Sequence, residues 1–212
     1  MKINKGDFIE IDFVGRVLET KEIFDLTKEN VAKENKIYNP KFPYKPIIIC
    51  VGEREVISGL DDKLIGREKG NYNIEIKSEE GFGKKNSSLL KLVPINIFKK
   101  ENLKPFPGLN VNIDGHIGTI RSVSGGRVIV DFNHPLSGKD LLFDIEIKKI
   151  IKENKEKIES ILSKIIDKFE IKIEKDKLNL KINLDEKHKS ILKERILKTV
   201  PNIKEVIFED LK

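Results

Sequence analysis

Apolar and charged residues alternate in several short segments of this chain, and that alternation constrains its fold more than any other feature. FIEIDF at 8–13, NYNIEIKS at 71–78 and LLFDIEIKKI at 141–150 place apolar residues at every second position. Such a period predicts strands with one buried face. The run IIICV at 47–51 is apolar throughout, which predicts a strand buried on both faces.

A short helix is predicted beside these strands, in SGLDDKLIG at 58–66. Leu60 and Leu64 recur at helical spacing, Ser58 is a candidate N-cap, and Gly66 is a candidate for the left-handed residue that ends the helix. Several strands and one short helix predict an α+β fold in which a small antiparallel sheet wraps on the helix.

The segment 27–44 has no clean apolar period. Pro40 and Pro43 lie within it and Pro46 follows it, and proline cannot donate to a regular strand ladder. We predict a long, partly ordered flap between two strands of the sheet.

Charge and cysteine content limit the expected partners and compartment. The 212-residue chain has a net charge of +6, but its Lys and Glu residues alternate and form no basic block. Without clustered cations interleaved with aromatic residues, nucleic acid is not an expected partner. No run reaches the roughly 18 apolar residues of a membrane span, and the single Cys50 can form no internal disulfide. We therefore expect a cytoplasmic protein with no membrane partner.

Four segments together resemble the FKBP-type prolyl isomerases, and the archaeal long-chain, SlyD-like branch in particular. They are FDLT at 24–27, EVISGLDDKLIG at 55–66, EEGFGKKN at 79–86 and NHPLSGKDLLFDIEI at 133–147. Their order and spacing carry the resemblance, which covers roughly residues 1–150. In that branch a small β domain is inserted in what the family calls its flap, a loop between the GFG-type turn and the NHPLSG segment that is distinct from residues 27–44 here.

The expected organisation has three parts. Residues 1–85 and 132–151 form a discontinuous isomerase domain with an FKBP-like antiparallel sheet, and residues 86–131 form an inserted, β-rich chaperone domain. Residues 152–212 read as a separate two-layer α/β domain in the order α-β-β-α-β, with an amphipathic stripe from Ile158 to Phe169 and an N-cap at Asp185.

Within the insert, Gly125-Gly126 is a candidate hairpin turn. An apolar run precedes the insert's later strands, and two interpretations of it stay open: the insert's own core, or a groove that binds apolar client segments. The candidate client-binding residues are Leu92, Val93, Ile95, Ile97 and Phe98.

The resemblance also implies an apolar pocket for the substrate proline. Its catalytic members would be Asp25, Ile57, Phe82 and Phe143, with Ile57 offering its backbone N–H to a substrate carbonyl. Its substrate-binding members would be Phe13, Phe24, Ile47, Ile49, Val56 and Leu60. Leu60 stands where the family usually has Trp, and Phe13 and Phe82 stand where Tyr is frequent, so the resemblance implies weaker binding of the family's macrolide ligands.

His134 invites three interpretations: a catalytic base, a metal ligand or a turn residue. Isomerisation of a prolyl bond breaks no bond and needs no proton transfer, and the other histidines, His116 and His188, lie in other parts of the chain. We expect His134 to shape the turn that contains Pro135 and Gly138. No metal and no cofactor are expected.

These observations predict a peptidyl-prolyl cis-trans isomerase with chaperone activity that acts on unfolded or nascent polypeptides. One alternative is a chaperone that holds polypeptide while its isomerase pocket is vestigial. The other is a basic adaptor on the ribosome or RNA. Homodimerisation through an exposed strand edge stays open.

Overall fold

The computed structural model of the chain describes residues 1–211, in which three sheets form. The strands are β1 Phe8–Val17, β2 Ile23–Leu26, β3 Ile47–Cys50, β4 Gly70–Ile76, β5 Leu90–Pro94, β6 Asn110–Ile113, β7 His116–Ser124, β8 Arg127–Asp131, β9 Leu141–Ile151, β10 Glu170–Glu174, β11 Lys177–Lys181 and β12 Glu205–Glu209. The helices are α1 Glu29–Glu34, α2 Ser58–Leu64, α3 Ile95–Lys100, α4 Asn154–Leu162 and α5 Glu186–Thr199.

β1 is the central strand of the first sheet. Its whole length pairs antiparallel with β9, while along its other edge β3 pairs with its first half and β2 with its second half. β4 pairs with the far edge of β9. The antiparallel sheet and the α+β class predicted from the alternation are confirmed.

α2 packs on this sheet through Leu60 and Leu64, which are 2% and 0% exposed. The prediction that Ser58 caps the helix is wrong: Ile57 is the N-cap residue, and the Ser58 hydroxyl donates instead to the Glu80 carbonyl at 2.9 Å. Gly66 has φ +82°, the left-handed conformation predicted for it.

The flap between β2 and β3 begins with α1, which the sequence did not predict. This one-and-a-half-turn helix has few apolar residues, so it shows no amphipathic stripe, and only Ala32 of it is buried. Ala32 packs with Val14 and Leu26 and with the half-buried Tyr44 from the other end of the flap. These contacts hold the flap against the edge of the sheet.

The insert contains a four-stranded antiparallel sheet in the order β5-β8-β7-β6, with α3 beside it. Gly125 and Gly126 have φ of 55° and 76° at the β7–β8 turn, the two left-handed residues that such a tight hairpin requires. At the base of the insert, the Asn133 side chain accepts from the Asn86 N–H at 2.8 Å and donates to the Asn86 carbonyl at 3.0 Å. We call this pair of residues the neck.

The C-terminal unit follows the predicted order α4-β10-β11-α5-β12. Asp185 caps α5 by accepting a hydrogen bond from the His188 N–H at 2.9 Å. The helix predicted to run to Phe169 ends at Leu162 instead. Ile166 and Phe169 still pack on the same core from the connecting segment, so the apolar spacing there reflects tertiary contacts and not continued helix.

The core of the C-terminal unit extends into the first sheet. Phe8, Cys50 and Ile151 are 0%, 1% and 3% exposed and belong to the same apolar cluster as α4, α5 and β11. β3 is therefore covered on both faces, since Ile49 faces the first core and Cys50 faces the C-terminal one. The C-terminal unit is thus not closed off from the rest of the chain at residue 152.

Within residues 1–211, none of the five helices combines the length and apolar character needed to cross a lipid bilayer.

The shared core predicts a large effect of Phe8→Ala. Deleting this fully buried ring should lower the free energy of unfolding by about 3–5 kcal/mol, since a cavity would open between the first sheet and the C-terminal unit. Chemical denaturation measures the change. Phe106→Ala is the control, because Phe106 is 55% exposed and should change stability little. Equal effects for the two variants would contradict a shared core.

Candidate functional site

Four phenylalanine side chains meet at one end of the first sheet. The ring centroids of Phe13 and Phe143 are 6.1 Å apart, and Phe24 stands edge-on to Phe143 at 5.6 Å and to Phe82 at 6.4 Å. Phe13 and Phe143 are buried, whereas Phe24 and Phe82 are partly exposed. The rings therefore form a wall whose base is buried and whose rim is open to a ligand.

Gly15 of β1 makes room for this arrangement. A Cβ at this position would lie 2.7 Å from the Phe24 ring and 3.0 Å from the Phe143 ring. Any side chain there would push the two rings apart. The close packing of the wall thus depends on a glycine that sequence patterning did not single out.

The apolar pocket residues implied by the family resemblance all lie in one cluster. Phe13, Ile49, Leu60 and Phe143 belong to its buried part, and Phe24, Ile47, Val56, Ile57 and Phe82 pack against it while partly exposed. They come from β1, β2, β3, β9, α2 and the turns that precede α2 and follow β4. The structure thus brings these nine residues together.

Asp25, the one charged member of the predicted set, lies beside Phe24 on β2 and is exposed. Partial removal of its carboxyl group from water raises its pKa, and the hydrogen bond from the Leu26 N–H offsets part of that rise. Although Asp25 is exposed as a whole, it lines a recess together with the apolar side chains of Phe24 and Phe42. Asp25 is thus a carboxylate at the pocket rim whose partial burial is only partly offset by a hydrogen bond.

Ile57 immediately precedes α2, and its carbonyl accepts from the Leu60 and Asp61 N–H groups at 3.0 Å each. Among the residues that the structure describes, no group accepts a hydrogen bond from the Ile57 N–H. A half-buried donor at a pocket wall is a suitable partner for a substrate carbonyl.

His134 supports Phe82. Its ring lies parallel to the Phe82 ring, with centroids 4.3 Å apart, and its Nδ1 accepts from the Leu136 N–H at 3.2 Å. The same turn holds the backbone around Phe82, because the Ser137 hydroxyl donates to the Phe82 carbonyl at 3.1 Å and the Gly138 N–H donates to the Gly83 carbonyl at 2.8 Å. The turn role predicted for His134 fits this geometry, and the stacking adds a contact that sequence reasoning missed.

A groove of about 190 Å³ continues from the pocket rim beneath the flap. On one side it is lined by Phe24 and Asp25, and on the other by flap residues that the sequence analysis did not single out: Ile37, Asn39, Phe42 and Tyr44. Phe42 and Tyr44 are in contact, with ring centroids 4.9 Å apart. The sequence did show aromatic residues among the prolines of this segment. Because apolar residues do not recur there at a regular spacing, it did not indicate which way these side chains face.

The predicted client-binding residues of the insert divide into two groups. Leu92 and Ile97 are 57% and 43% exposed. Val93 and Phe98 are 8% and 3% exposed and Ile95 is partly buried, because all three form the insert's own core. For Phe98 the prediction of a client contact surface is corrected, because its side chain lies in that core. Val93 also belongs to the core, but it lines the groove described next as well. A separate groove of about 350 Å³ has an apolar lining that includes Leu89, Ile113 and Phe132.

Comparison with known proteins gives consistent results. The chain is 35% identical over 149 residues to a short-type peptidyl-prolyl cis-trans isomerase of Methanocaldococcus jannaschii, covering 70% of this chain and 94% of that protein. It is 30% identical over 108 residues to the FKBP-type isomerase SlyD of Pasteurella multocida, covering 49% and 54% of the two chains. It is 30% identical over 112 residues to the FKBP-type 16 kDa isomerase of Escherichia coli, covering 50% and 74%.

Two further comparisons cover other ranges. Residues 91–136 match the family described as the IF domain of FKBP26. Among solved structures, the N-terminal domain of FKBP42 from Arabidopsis thaliana covers 71% of this chain and 77% of its own, at 13% identity and a TM-score of 0.36, and we rest no argument on it.

The raised pKa of Asp25 predicts that Asp25→Asn stabilises the protein. A pKa above the unfolded value means that the ionised carboxylate destabilises the fold, fully so above the raised pKa. At pH 7 the variant should have a higher free energy of unfolding than the wild type, and the difference should vanish as the pH falls below the ordinary Asp value. Denaturation at several pH values measures it.

Asp167→Asn is the matched control, because Asp167 is exposed and remote from the pocket. A variant at Asp25 that destabilises the protein at pH 7 would contradict the environment described for this carboxylate.

Proposed function

The chain belongs to the FKBP-type peptidyl-prolyl cis-trans isomerases, and from that membership we propose that it rotates X-Pro bonds in the pocket bounded by Phe13, Phe24, Phe82 and Phe143. The observation that carries this assignment of the site is the meeting of four aromatic rings beside a free backbone donor, that of Ile57.

The chemistry needed is modest. Rotation about an X-Pro bond is opposed by amide resonance, with a barrier of about 18–20 kcal/mol, and it breaks no covalent bond. The twisted amide has less charge separation than the planar one, so an apolar site disfavours the planar form relative to the twisted one. A wall of rings that excludes water and grips the proline ring supplies such a site without nucleophile or base.

Two polar groups would orient the substrate within this wall. The Ile57 N–H would donate to a carbonyl of the substrate, fixing the chain on one side of the bond. The carboxylate of Asp25 lies at the rim in surroundings that raise its pKa, so a polar N–H brought by the substrate would compensate it. Both groups orient the substrate and neither exchanges a proton in the reaction.

The groove beneath the flap extends the proposed site. Phe42 and Ile37 are 44% and 47% exposed there, and the groove shares Phe24 and Asp25 with the pocket. A substrate chain held with its proline among the rings would pass into this groove on one side. We therefore propose that it receives an apolar or aromatic residue that flanks the proline.

The insert would hold unfolded polypeptide near this pocket, as a chaperone domain. Its exposed apolar residues, which include Leu92, Ile97 and Ile117, and the groove beside Leu89 offer surface to apolar segments of a client. The partners in this proposal are unfolded or nascent polypeptides in the cytoplasm. The complete pocket favours an active isomerase over a holding chaperone whose pocket is vestigial.

Phe82→Ala tests the pocket assignment. Because this ring contacts Phe24 at the open rim, its loss should lower kcat/KM for a proline-containing tetrapeptide by about tenfold while the fold is retained. His134→Ala, which removes only the stacking ring and one hydrogen bond, should lower it by about threefold or less. Phe106→Ala in the insert is the control. Unchanged rates for Phe82→Ala would overturn the assignment of the pocket.

Deleting residues 87–130 tests the role of the insert. The neck already places Asn86 next to Asn133, so a short glycine-containing turn can join the cut ends. Peptide isomerisation should persist, because all pocket residues lie outside the insert. Catalysed refolding of a proline-limited protein should fall much further, by up to about a hundredfold, because the tethered client site is lost.

A point variant guards against a deletion that fails to fold. Leu89→Asn puts a polar side chain into the groove of the intact insert and should reproduce part of the refolding loss with peptide turnover unchanged. If peptide and refolding rates fall equally in both variants, the insert only supports the pocket.

A further inference from the structure

Glu55 joins the isomerase domain to the C-terminal unit. Its carboxylate forms ion pairs with Lys164, just after α4, and with Arg195 of α5. The side chain of Glu55 is only 10% exposed, and one of its oxygens also accepts from the Cys50 N–H at 3.3 Å. A largely buried carboxylate is thus neutralised by two cations from a different part of the chain.

The segment that carries Glu55 leads directly to the pocket. Residues 51–57 connect β3 to α2, and Val56 and Ile57 at their end belong to the pocket wall. We call residues 51–57 the pocket loop. Glu55 is two residues from the N–H that is proposed to bind the substrate carbonyl.

The pocket loop is held from two sides. On the inner side, buried Asp61 accepts from the Gly52 N–H at 2.8 Å and from the Arg54 N–H at 3.0 Å. Arg54 has φ +57°, a left-handed conformation that is uncommon for a non-glycine residue. On the outer side, the contacts of Glu55 with Lys164 and Arg195 are the second restraint.

We infer that the C-terminal unit positions the pocket loop through Glu55, which makes Glu55, Lys164 and Arg195 positioning residues of the isomerase site. This inference rests on the proposed role of the Ile57 N–H in binding substrate. None of the three side chains touches the substrate; they act through the backbone of the loop.

The energetics favour a positioning role. A carboxylate this poorly hydrated is costly unless it is paired, so without its two cations Glu55 would turn toward water and take the loop with it. Displacing a substrate-binding group by about 1 Å can lower a rate by about a hundredfold. The cations themselves are less constrained, since Lys164 and Arg195 are 36% and 32% exposed and can return to solvent.

A second ion pair between the isomerase domain and the C-terminal unit provides the control. Glu156 of α4 pairs with Lys149 of β9, and their side chains are 34% and 49% exposed. A solvated pair of this kind holds its partners weakly. Glu156→Gln removes this contact without freeing a buried charge, because Lys149 keeps its pairing with Glu10. Its activity should therefore stay near that of the wild type.

The experiment measures kcat and KM for a proline-containing tetrapeptide in the full-length chain, together with the amide resonance and hydrogen exchange of Ile57 by NMR. The double variant Lys164→Ala/Arg195→Met should lower kcat/KM by about fivefold to tenfold, mainly through KM, and should speed exchange at Ile57. Glu55→Gln should fall between this variant and the wild type, because it removes both ion pairs but leaves no buried charge. The single variant Arg195→Lys keeps both cations opposite Glu55 and should therefore retain most of the wild-type activity.

The outcomes separate two failures. If Phe82→Ala lowers activity while the double variant keeps wild-type KM and an unchanged Ile57 resonance, the positioning role is overturned and the pocket assignment stands. If Phe82→Ala is also without effect, the proposed pocket itself is wrong. A double variant that only unfolds at a lower temperature, with normal KM where it is folded, shows a purely structural contact and also overturns the inference.

Discussion

The pairing of β1 with β9 is the constraint on which the rest of the structure depends. Its register sets Gly15 opposite Phe143 and thereby places the Phe13 and Phe143 side chains on one face, where they form the base of the pocket. Phe8 on the other face enters the C-terminal core. A register shift follows Ile147, so Ile151 also turns toward that second core, as a bulge allows. One strand pair thus serves both the proposed substrate pocket and the attachment of the C-terminal unit.

Much of this could be predicted from the sequence, because the information is local or carried by ordered motifs. Period two identified β1, β4 and β9, and paired glycines identified the β7–β8 turn. The pocket residues needed the family resemblance, since no periodicity distinguishes Phe24 or Phe82 from ordinary core aromatics. The stacking of His134 on Phe82 was out of reach, because it joins two turns that only the closed sheet brings together.

Contacts between residues that lie far apart in the chain could not be predicted from the sequence. Glu55 is one of 35 acidic residues, and its partners Lys164 and Arg195 lie 109 and 140 positions away. Nothing local marks it as buried. The apolar run of the insert was ambiguous for a related reason: the same residues suit a core or a binding surface, and only the fold decides that Val93 and Phe98 are inside while Leu92 is outside.

The neck bears on how the protein folds during its own synthesis. β1 must wait for β9, whose residues come much later in the chain: Arg16 of β1 and its ion-pair partner Asp144 of β9 are 128 positions apart. An insert that folds as soon as it is made brings Asn86 to Asn133 and so closes part of the intervening loop in advance. The remaining search then has a shorter effective chain length, which lowers the entropic cost of the final strand pairing. A folding catalyst interrupted by a second unit is in this way helped by that unit to complete its own sheet.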